Sequence, residues 1–276
     1  MRILSVVPKS YLSWGLGHLA RLPLPRPLAR LSVSLFAQAY SIDHSLSARP
    51  IDSFRSVGEF FTRDLKPEVR PIADGPVCPV DGRLRACVPL SPGGEVTQVK
   101  GRSFTVEQLL GNADLARRFE SGQLWNFYLS PQDAHHIHAP VDGRIVETIH
   151  IPGKLWPVND WALHNVDGLF VVNERVVSLI ESEHGLVAVV MVGATNVGRI
   201  RLAYMDLVTN RAPWAPKKRQ VFRHDPSLPI KRGEKLGTFM MGSSVLVVSE
   251  KPLAPCPQGK ENSKVQYGRS FSRLWD

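Results

Sequence analysis

The pentapeptide Pro79-Val80-Asp81-Gly82-Arg83 recurs letter for letter as Pro140-Val141-Asp142-Gly143-Arg144. Asp-Gly is a strong turn signal, because glycine accepts φ > 0. Two equivalent turns imply two similar β units related by a pseudo-twofold axis; the competing reading is two ordinary turns. The surrounding residues favour β structure. From about Ile72 onward, short runs rich in valine and isoleucine alternate with Gly, Pro, Asn and Asp. Strands are expected at Arg144–Ile151, Leu169–Val172, Arg175–Ile180, Leu186–Val192 and Val245–Val248. Residues Val106–Phe119 read as helical. Residues Ala212–Arg232, with Pro213, Pro216, Pro226 and Pro229, read as a long basic loop.

The first forty-two residues differ from the rest. They carry Arg2, Lys9, Arg21, Arg26 and Arg30, and no acidic residue precedes Asp43. One helical pattern places Leu12, Leu16 and Leu19 on a face, with Tyr11 and Trp14 nearby. A second places Leu28, Leu31 and Leu35 together, flanked by Phe36 and Ala39. Pro23, Pro25 and Pro27 separate them, since proline breaks a helix interior but suits a first turn. An apolar face beside arginines suits either a membrane interface or packing on the chain's own domain. A third helix is expected at Ser56, where Ser56-Val57-Gly58-Glu59 has capping-box spacing and Phe60-Phe61 supplies a core anchor. The expected organisation is a helical region over 1–65 and a β-rich domain over 66–276. The fold class is α+β, a barrel-like or sandwich-like core with an internal pseudo-repeat behind amphipathic helices.

Composition narrows the possibilities. Of 276 residues, 43% are hydrophobic and 21% charged, enough for a real core and too apolar for wholesale disorder. The longest apolar run, Leu186–Ala194, falls well short of the roughly 20 residues a bilayer span needs, so no transmembrane helix is expected. Lys and Arg number 34 against 25 Asp and Glu, giving +9. That balance suits an anionic partner: nucleic acid, an acidic small molecule or a negative membrane face. Cys78, Cys87 and Cys256 form no CxxC pair, which argues against a structural zinc site or a disulfide framework. No signal peptide is evident, so a reducing cytosolic setting is expected.

Histidines concentrate at His135, His136 and His138. They suit a metal site, general acid–base work or a polar loop with incidental imidazoles; without a matching ligand pattern elsewhere, metal ranks last. A second candidate is the Gly242-Ser243 pair, in an apolar setting just ahead of the strand at Val245. A serine hydroxyl is inert until a base takes its proton. The base would be a histidine oriented by a carboxylate, and Asp81 and Asp142 on the repeated turns are available. No G-x-S-x-G elbow is present.

Several separated motifs together resemble the phosphatidylserine decarboxylase proenzymes of the bacterial membrane-associated type. They are Phe60-Phe61-Thr62-Arg63-Asp64-Leu65-Lys66-Pro67-Glu68-Val69-Arg70-Pro71, Pro79-Val80-Asp81-Gly82, Tyr128-Leu129-Ser130-Pro131 through His138-Ala139-Pro140, Asn173-Glu174-Arg175, and Val192 through Gly198. Met241-Gly242-Ser243-Ser244 resembles the family's Leu-Gly-Ser-Thr cleavage motif, with Met for Leu and Ser for Thr.

The resemblance implies self-cleavage between Gly242 and Ser243 into fragments 1–242 and 243–276. Asp81 would orient His138, which would deprotonate Ser243; Asp142 could share the orienting role. Ser243 would become a covalent pyruvoyl (pyruvate-derived) cofactor, an electron sink that forms a Schiff base with the substrate amine. His135 would return the proton to the α-carbon, and His136 reads as incidental. The implied substrate is phosphatidylserine, the product phosphatidylethanolamine. The implied location is the cytoplasmic side of the cell membrane, held peripherally by residues 1–42 on anionic lipid. The two fragments would stay together, with a homodimer plausible. Two other readings compete: a serine hydrolase using Ser243, His138 and Asp81, in which the chain stays intact, and a non-enzymatic β module. In the latter, Lys217-Lys218-Arg219, with Trp214 and Phe222, would meet nucleic acid.

Overall fold

The structure is a computed structural model that describes residues 15, 17–99, 101–195, 199–210, 218–240 and 243–274. Its frame is one eight-stranded antiparallel sheet. In chain order the strands are β1 (Gly82–Pro89), β4 (Gln123–Leu129), β6 (Gly143–Ile151), β7 (Arg175–Ser182), β8 (Gly185–Gly193), β10 (Gln220–Ile230), β12 (Ser243–Ser249) and β13 (Lys264–Val265). They lie side by side as β10-β6-β7-β8-β12-β4-β1-β13. A three-stranded sheet, β5 (His136–His138), β11 (Lys235–Phe239) and β9 (Ile200–Leu202), is ordered β5-β11-β9, and a ribbon pairs β2 (Glu95–Val99) with β3 (Arg102–Thr105).

The duplicated pentapeptide has a structural counterpart. Counting outward from the central β8–β12 pair, one half runs β8, β7, β6, β10 and the other β12, β4, β1, β13. Each Asp-Gly turn opens the third strand of its half: Gly82 begins β1 and Gly143 begins β6. The reason for glycine differs from the expected one. Neither residue has a positive φ. A Cβ at Gly82 would instead lie 2.4 Å from the Tyr128 carbonyl oxygen, and one at Gly143 2.2 Å from that of Glu181. Close backbone approach excludes a side chain at both turns.

The large sheet is covered on both faces. On one side Trp125, Phe127, Met191, Val245 and Val247 pack against Ile137, Leu236 and Phe239 of the small sheet. On the other, Val190, Val192, Leu246 and Val248 meet Leu109 and Leu110 of α3 (Val106–Leu110), Ala162 and Leu163 of α5 (Asp160–Asn165) and Phe170 of α6 (Leu169–Val172). Every residue of β12 is buried, so its near-continuous apolar run is the signature of a strand covered twice.

Four expectations change. Leu169–Val172 is a helical turn entered through Gly168 at φ 57°; a short apolar run carries no periodicity to distinguish helix from strand. Val106–Phe119 is two helices, α3 and α4 (Ala113–Arg117), because Gly111 at φ 66° ends the first and Asn112 caps the second. The basic stretch contains the eleven-residue strand β10, paired with β6. It tolerates Pro226 because it is an edge strand whose register shifts between Arg223 and Leu228. Lys217 and Trp214, read as part of a basic loop, lie outside the described residues. Finally, Cys87 and Cys256 form a disulfide, with Cα atoms 5.4 Å apart. The partners stand 169 residues apart in the chain, so spacing rules had no access to the pair.

Of the N-terminal patterns, Tyr11, Leu12, Trp14 and Leu16 lie outside the described residues. The second pattern forms helix α1 (Arg26–Ala39), with Pro27 in its first turn. Its small face, Ala29, Val33 and Ala37, is the buried one. Val33 and Ala37 pack with Ile42, Phe54 and Phe60. Leu28, Leu31 and Leu35 are 55–57% exposed. Helix α2 (Val57–Phe61) begins as expected: Ser56 Oγ accepts from the Glu59 N–H at 3.1 Å, while Glu59 reaches back to the Arg55 N–H at 2.7 Å rather than to Ser56. Among the described residues, no helix is long and apolar enough to cross a membrane.

Substituting Gly143→Ala or Gly82→Ala tests the close-approach account. Each change should lower unfolding stability by about 1–3 kcal/mol, the usual cost of overpacking, measured by chemical denaturation. An unchanged midpoint would show that the strand can yield there.

Candidate active site

Three strands converge on Ser243. It opens β12, in register with Leu129 of β4 on one side and Gly193 of β8 on the other. Immediately after Leu129 the chain turns: Ser130 donates its N–H and Oγ–H to Asp133 Oδ2 at 2.8 and 2.7 Å. That turn delivers the chain to His135 and β5. Strand β5 pairs with β11, matching His136 to Thr238 and His138 to Lys235, while the Phe239 N–H donates to the His135 carbonyl at 2.9 Å. Strand β11 is the segment that leads toward Ser243. The histidines and the serine are thus fixed from both directions at one end of the sheet.

The Ser243 side chain is fully buried, and its Oγ has no hydrogen-bond partner among the described residues. A buried hydroxyl without a partner carries a desolvation cost of about 1–3 kcal/mol. Val245 and Val247 face the small sheet, so alternation puts Ser243 on the same face, the one the histidine strand covers. Gly242 lies outside the described residues.

Each histidine is held in one tautomer or one position. His135 is fully buried, donates Nδ1–H to the Asp133 carbonyl at 2.8 Å and lies 3.9 Å from the Phe61 ring. Its Nε2 is left bare, with no partner among the described residues. His138 donates Nδ1–H to the Pro79 carbonyl at 3.2 Å and stacks on Tyr267 at 3.9 Å. A carbonyl can only accept, so both rings present Nε2 as a lone pair. Burial is the main cause that pulls the pKa of each down to about 3. His136 contacts Thr238 Oγ1 at 2.9 Å, and its Nε2 lies 3.1 Å from Asp64 Oδ1 without hydrogen-bond alignment. Burial, then the Lys235 charge, pulls it to about 4.

The aspartates of the two turns differ. Asp81 is buried and accepts from Arg70 through Nε at 3.0 Å and Nη2 at 2.8 Å, and from the Tyr267 N–H at 3.0 Å. Among the described residues, no carboxylate hydrogen-bonds the His138 ring. The first turn reaches that ring by two other routes: the Pro79 carbonyl, and Tyr267, whose backbone is held by Asp81 while its ring stacks on the imidazole. Asp142 is exposed and accepts from the Arg232 N–H at 2.9 Å.

Sequence reasoning gave no role to Arg70, Tyr267, Lys235 or Asp64. Arg70 stood inside a quoted motif, but nothing in the sequence marks Tyr267. The Asn173-Glu174-Arg175 motif also acquires a task. Asn173 Nδ2 donates to the Gly193 carbonyl at 3.0 Å, and the Gly193 N–H to the Glu174 carbonyl at 2.9 Å, bracing the β8 residue opposite Ser243. Arg175 donates to the carbonyls of Gln108, Leu109, Val171 and Asn173 at 2.7–3.0 Å. Burial lowers its pKa to about 10.

The family model for phosphatidylserine decarboxylase matches residues 57–273. The chain belongs to the phosphatidylserine decarboxylase family. It is 41% identical over 253 residues to a phosphatidylserine decarboxylase proenzyme of Myxococcus xanthus (strain DK1622), covering 91% of this chain and 89% of the relative. A proenzyme of that name from Anaeromyxobacter sp. (strain K) is 40% identical, covering 90% and 88%. One from Shewanella loihica is 36% identical over 282 residues, covering 98% and 96%. Membership makes the chain an enzyme, a decarboxylase of the proenzyme type, and displaces the hydrolase and binding-module readings.

The buried neutral histidines set a pH dependence. Their folded pKa values lie below the ordinary 6.5. The unfolded chain therefore binds more protons between about pH 3 and 6.5, and stability falls as pH drops through that window. Each histidine contributes up to about 1.4 kcal/mol per pH unit. Denaturation midpoints from pH 7 to pH 4 should fall steeply, and His135→Gln should flatten the slope; an unaltered slope would contradict the burial argument.

Proposed function

We propose that the chain cuts itself between Gly242 and Ser243, converts Ser243 to a pyruvoyl group, and then decarboxylates phosphatidylserine to phosphatidylethanolamine. The observation that carries this reading is the buried Ser243 hydroxyl, without a hydrogen-bond partner among the described residues, on the sheet face that the histidine-bearing strand covers. His138, its tautomer fixed by the Pro79 carbonyl, takes the Ser243 proton at Nε2. The oxygen attacks the Gly242 carbonyl carbon and the amide becomes an ester. Elimination across the serine Cα–Cβ bond frees the Gly242 carboxylate, and water then replaces the nitrogen, which leaves as ammonia. The pyruvoyl group supplies a carbonyl that condenses with the substrate amine and accepts the electrons left when carbon dioxide departs. His135 relays the proton: its bare Nε2 takes the one that the substrate ammonium gives up and returns it to the substrate α-carbon. Asp81 and Arg70 act through Tyr267, keeping the His138 ring in place.

Membrane association follows from α1. Its leucine face points outward, Leu19 and Leu22 are also exposed, and the net charge is +9. Such a surface suits an anionic lipid interface, with the leucines at the acyl boundary and Arg26 and Arg30 toward headgroups. The protein then sits peripherally on the cytoplasmic leaflet, where its substrate lies.

Intact mass under reducing, denaturing conditions tests the cut. The expected result is two fragments, 1–242 and 243–276, the smaller lighter by one ammonia than a serine-started peptide. Cys87 belongs to one fragment and Cys256 to the other, so without reductant the two should run as one cross-linked species. Ser243→Ala should leave a single chain in either condition. A wild-type chain that stays uncut on anionic vesicles would sink the proposal.

Replacing Leu28, Leu31 and Leu35 by serine removes apolar surface that is more than half exposed. Co-flotation with vesicles containing anionic lipid should fall at least tenfold while self-cleavage persists. Equal flotation of the variant would place the membrane contact elsewhere.

A further inference from the structure

We infer that Arg63 is a positioning residue for His135: it ties the turn that carries this histidine to the helix whose phenylalanine supports the imidazole. The inference rests on the decarboxylase reading proposed above, in which the bare Nε2 of His135 relays a proton.

Arg63 lies two residues beyond α2 and is only 4% exposed. A buried guanidinium is costly, and the fold compensates this one thinly. Nη2 donates to the Gln132 carbonyl at 2.8 Å and Nη1 to the Phe60 carbonyl at 3.4 Å, with the guanidinium 5.0 Å from the centre of the Phe60 ring. Nε is buried without a hydrogen-bond partner among the described residues. Burial pulls its pKa down, while the charges of Asp81, Asp133 and Asp43 pull the other way. Arg175, by contrast, fills four carbonyls. An apolar side chain of similar volume would pack here without the desolvation penalty, so the charge points to a task beyond filling space.

The two carbonyl partners show the task. Gln132 and Asp133 are consecutive residues of the turn after β4. The first gives its carbonyl to Arg63 and the second gives its carbonyl to His135 Nδ1–H. Phe60 and Phe61 are consecutive residues of α2. The first meets Arg63 with its carbonyl and its ring, and the second lies 3.9 Å from the imidazole. One guanidinium therefore joins the two segments that hold the histidine, one at Nδ1 and one against the ring. The anchor is firm, since Phe60 is fully buried with Val33 and Ala37 of α1.

The charge works in the same direction as the geometry. A relay must start neutral if it is to accept a proton. Burial first keeps the His135 ring neutral; the Asp133 carbonyl opposes this, and the positive charge of Arg63, then His136, adds to it. The Asp133 carboxylate is turned to Ser130 instead.

The test is Arg63→Gln. His135 is read first in the uncleaved S243A chain, by nitrogen-15 NMR of the imidazoles. R63Q should raise the protonated share of His135 at pH 5 about tenfold, and R63K, which returns the charge, should reverse that rise. Self-cleavage depends on His138, which Pro79 and Tyr267 hold, so R63Q should cut itself as the wild type does by reduced mass. Per cleaved chain, kcat for phosphatidylserine in mixed micelles should fall about tenfold while KM stays within about twofold. An unaltered His135 titration, no reversal by R63K, or equal losses of self-cleavage and kcat would make Arg63 a support of the fold alone and overturn the inference. If R63Q does not fold, R63M, apolar and of similar volume, carries the same measurements. The titration needs no turnover. Wild-type protein that neither cuts itself nor releases carbon dioxide sinks the parent reading, while the titration still decides whether Arg63 governs His135.

Discussion

Everything at the candidate site depends on the two hydrogen-bonded ladders that grip β12. Residues 243–249 pair along their whole length with β4 on one side and β8 on the other. A central strand can be held this rigidly only if both its faces are dry, and here both are. The ladders set the register of Ser243 against Leu129 and Gly193. Those neighbours are then fixed in turn, Gly193 by Asn173 and Glu174, and the chain beyond Leu129 by Asp133. Precision at the serine is therefore a property of backbone pairing rather than of side-chain contacts.

Two of the buried charges are paired or saturated: Asp81 by Arg70, Arg175 by four carbonyls. The histidines are buried uncharged, each with Nδ1 committed, and the Nε2 atoms of His135 and His136 have no hydrogen-bond partner among the described residues. A neutral imidazole in a dry site is a usable base, because no water competes for its lone pair. Among the described residues, Ser243 Oγ is buried without a hydrogen-bond partner as well.

Much of this was legible in the sequence because it rests on local pattern. The duplicated turns, the strands at Arg175 and Leu186, the Ser56 cap and the chain segments that carry the histidines and serine all have short-range signatures. What was not legible is long-range. Tyr267 meets His138, and Cys87 meets Cys256, only once the C-terminal tail folds back along β1 and β4. The leucine pattern of α1 was read correctly as a helix, yet no periodicity could tell that alanines and a valine, not leucines, face inward. The strand β10 was hidden by prolines that an edge with a register shift accommodates. The role of glycine in the two turns was likewise misassigned, since steric exclusion by a neighbouring strand leaves no mark in a single segment.

The two identical pentapeptides occupy equivalent places in the sheet, yet their aspartates live in different surroundings. One is sealed inside beside Arg70 and reports to the histidine strand through Tyr267; the other stands at the surface, tied to Arg232. The framework is duplicated while the chemistry is not. The same five letters thus serve as one backbone device in two places, and what packs against each copy decides whether its carboxylate is sealed in or left to solvent.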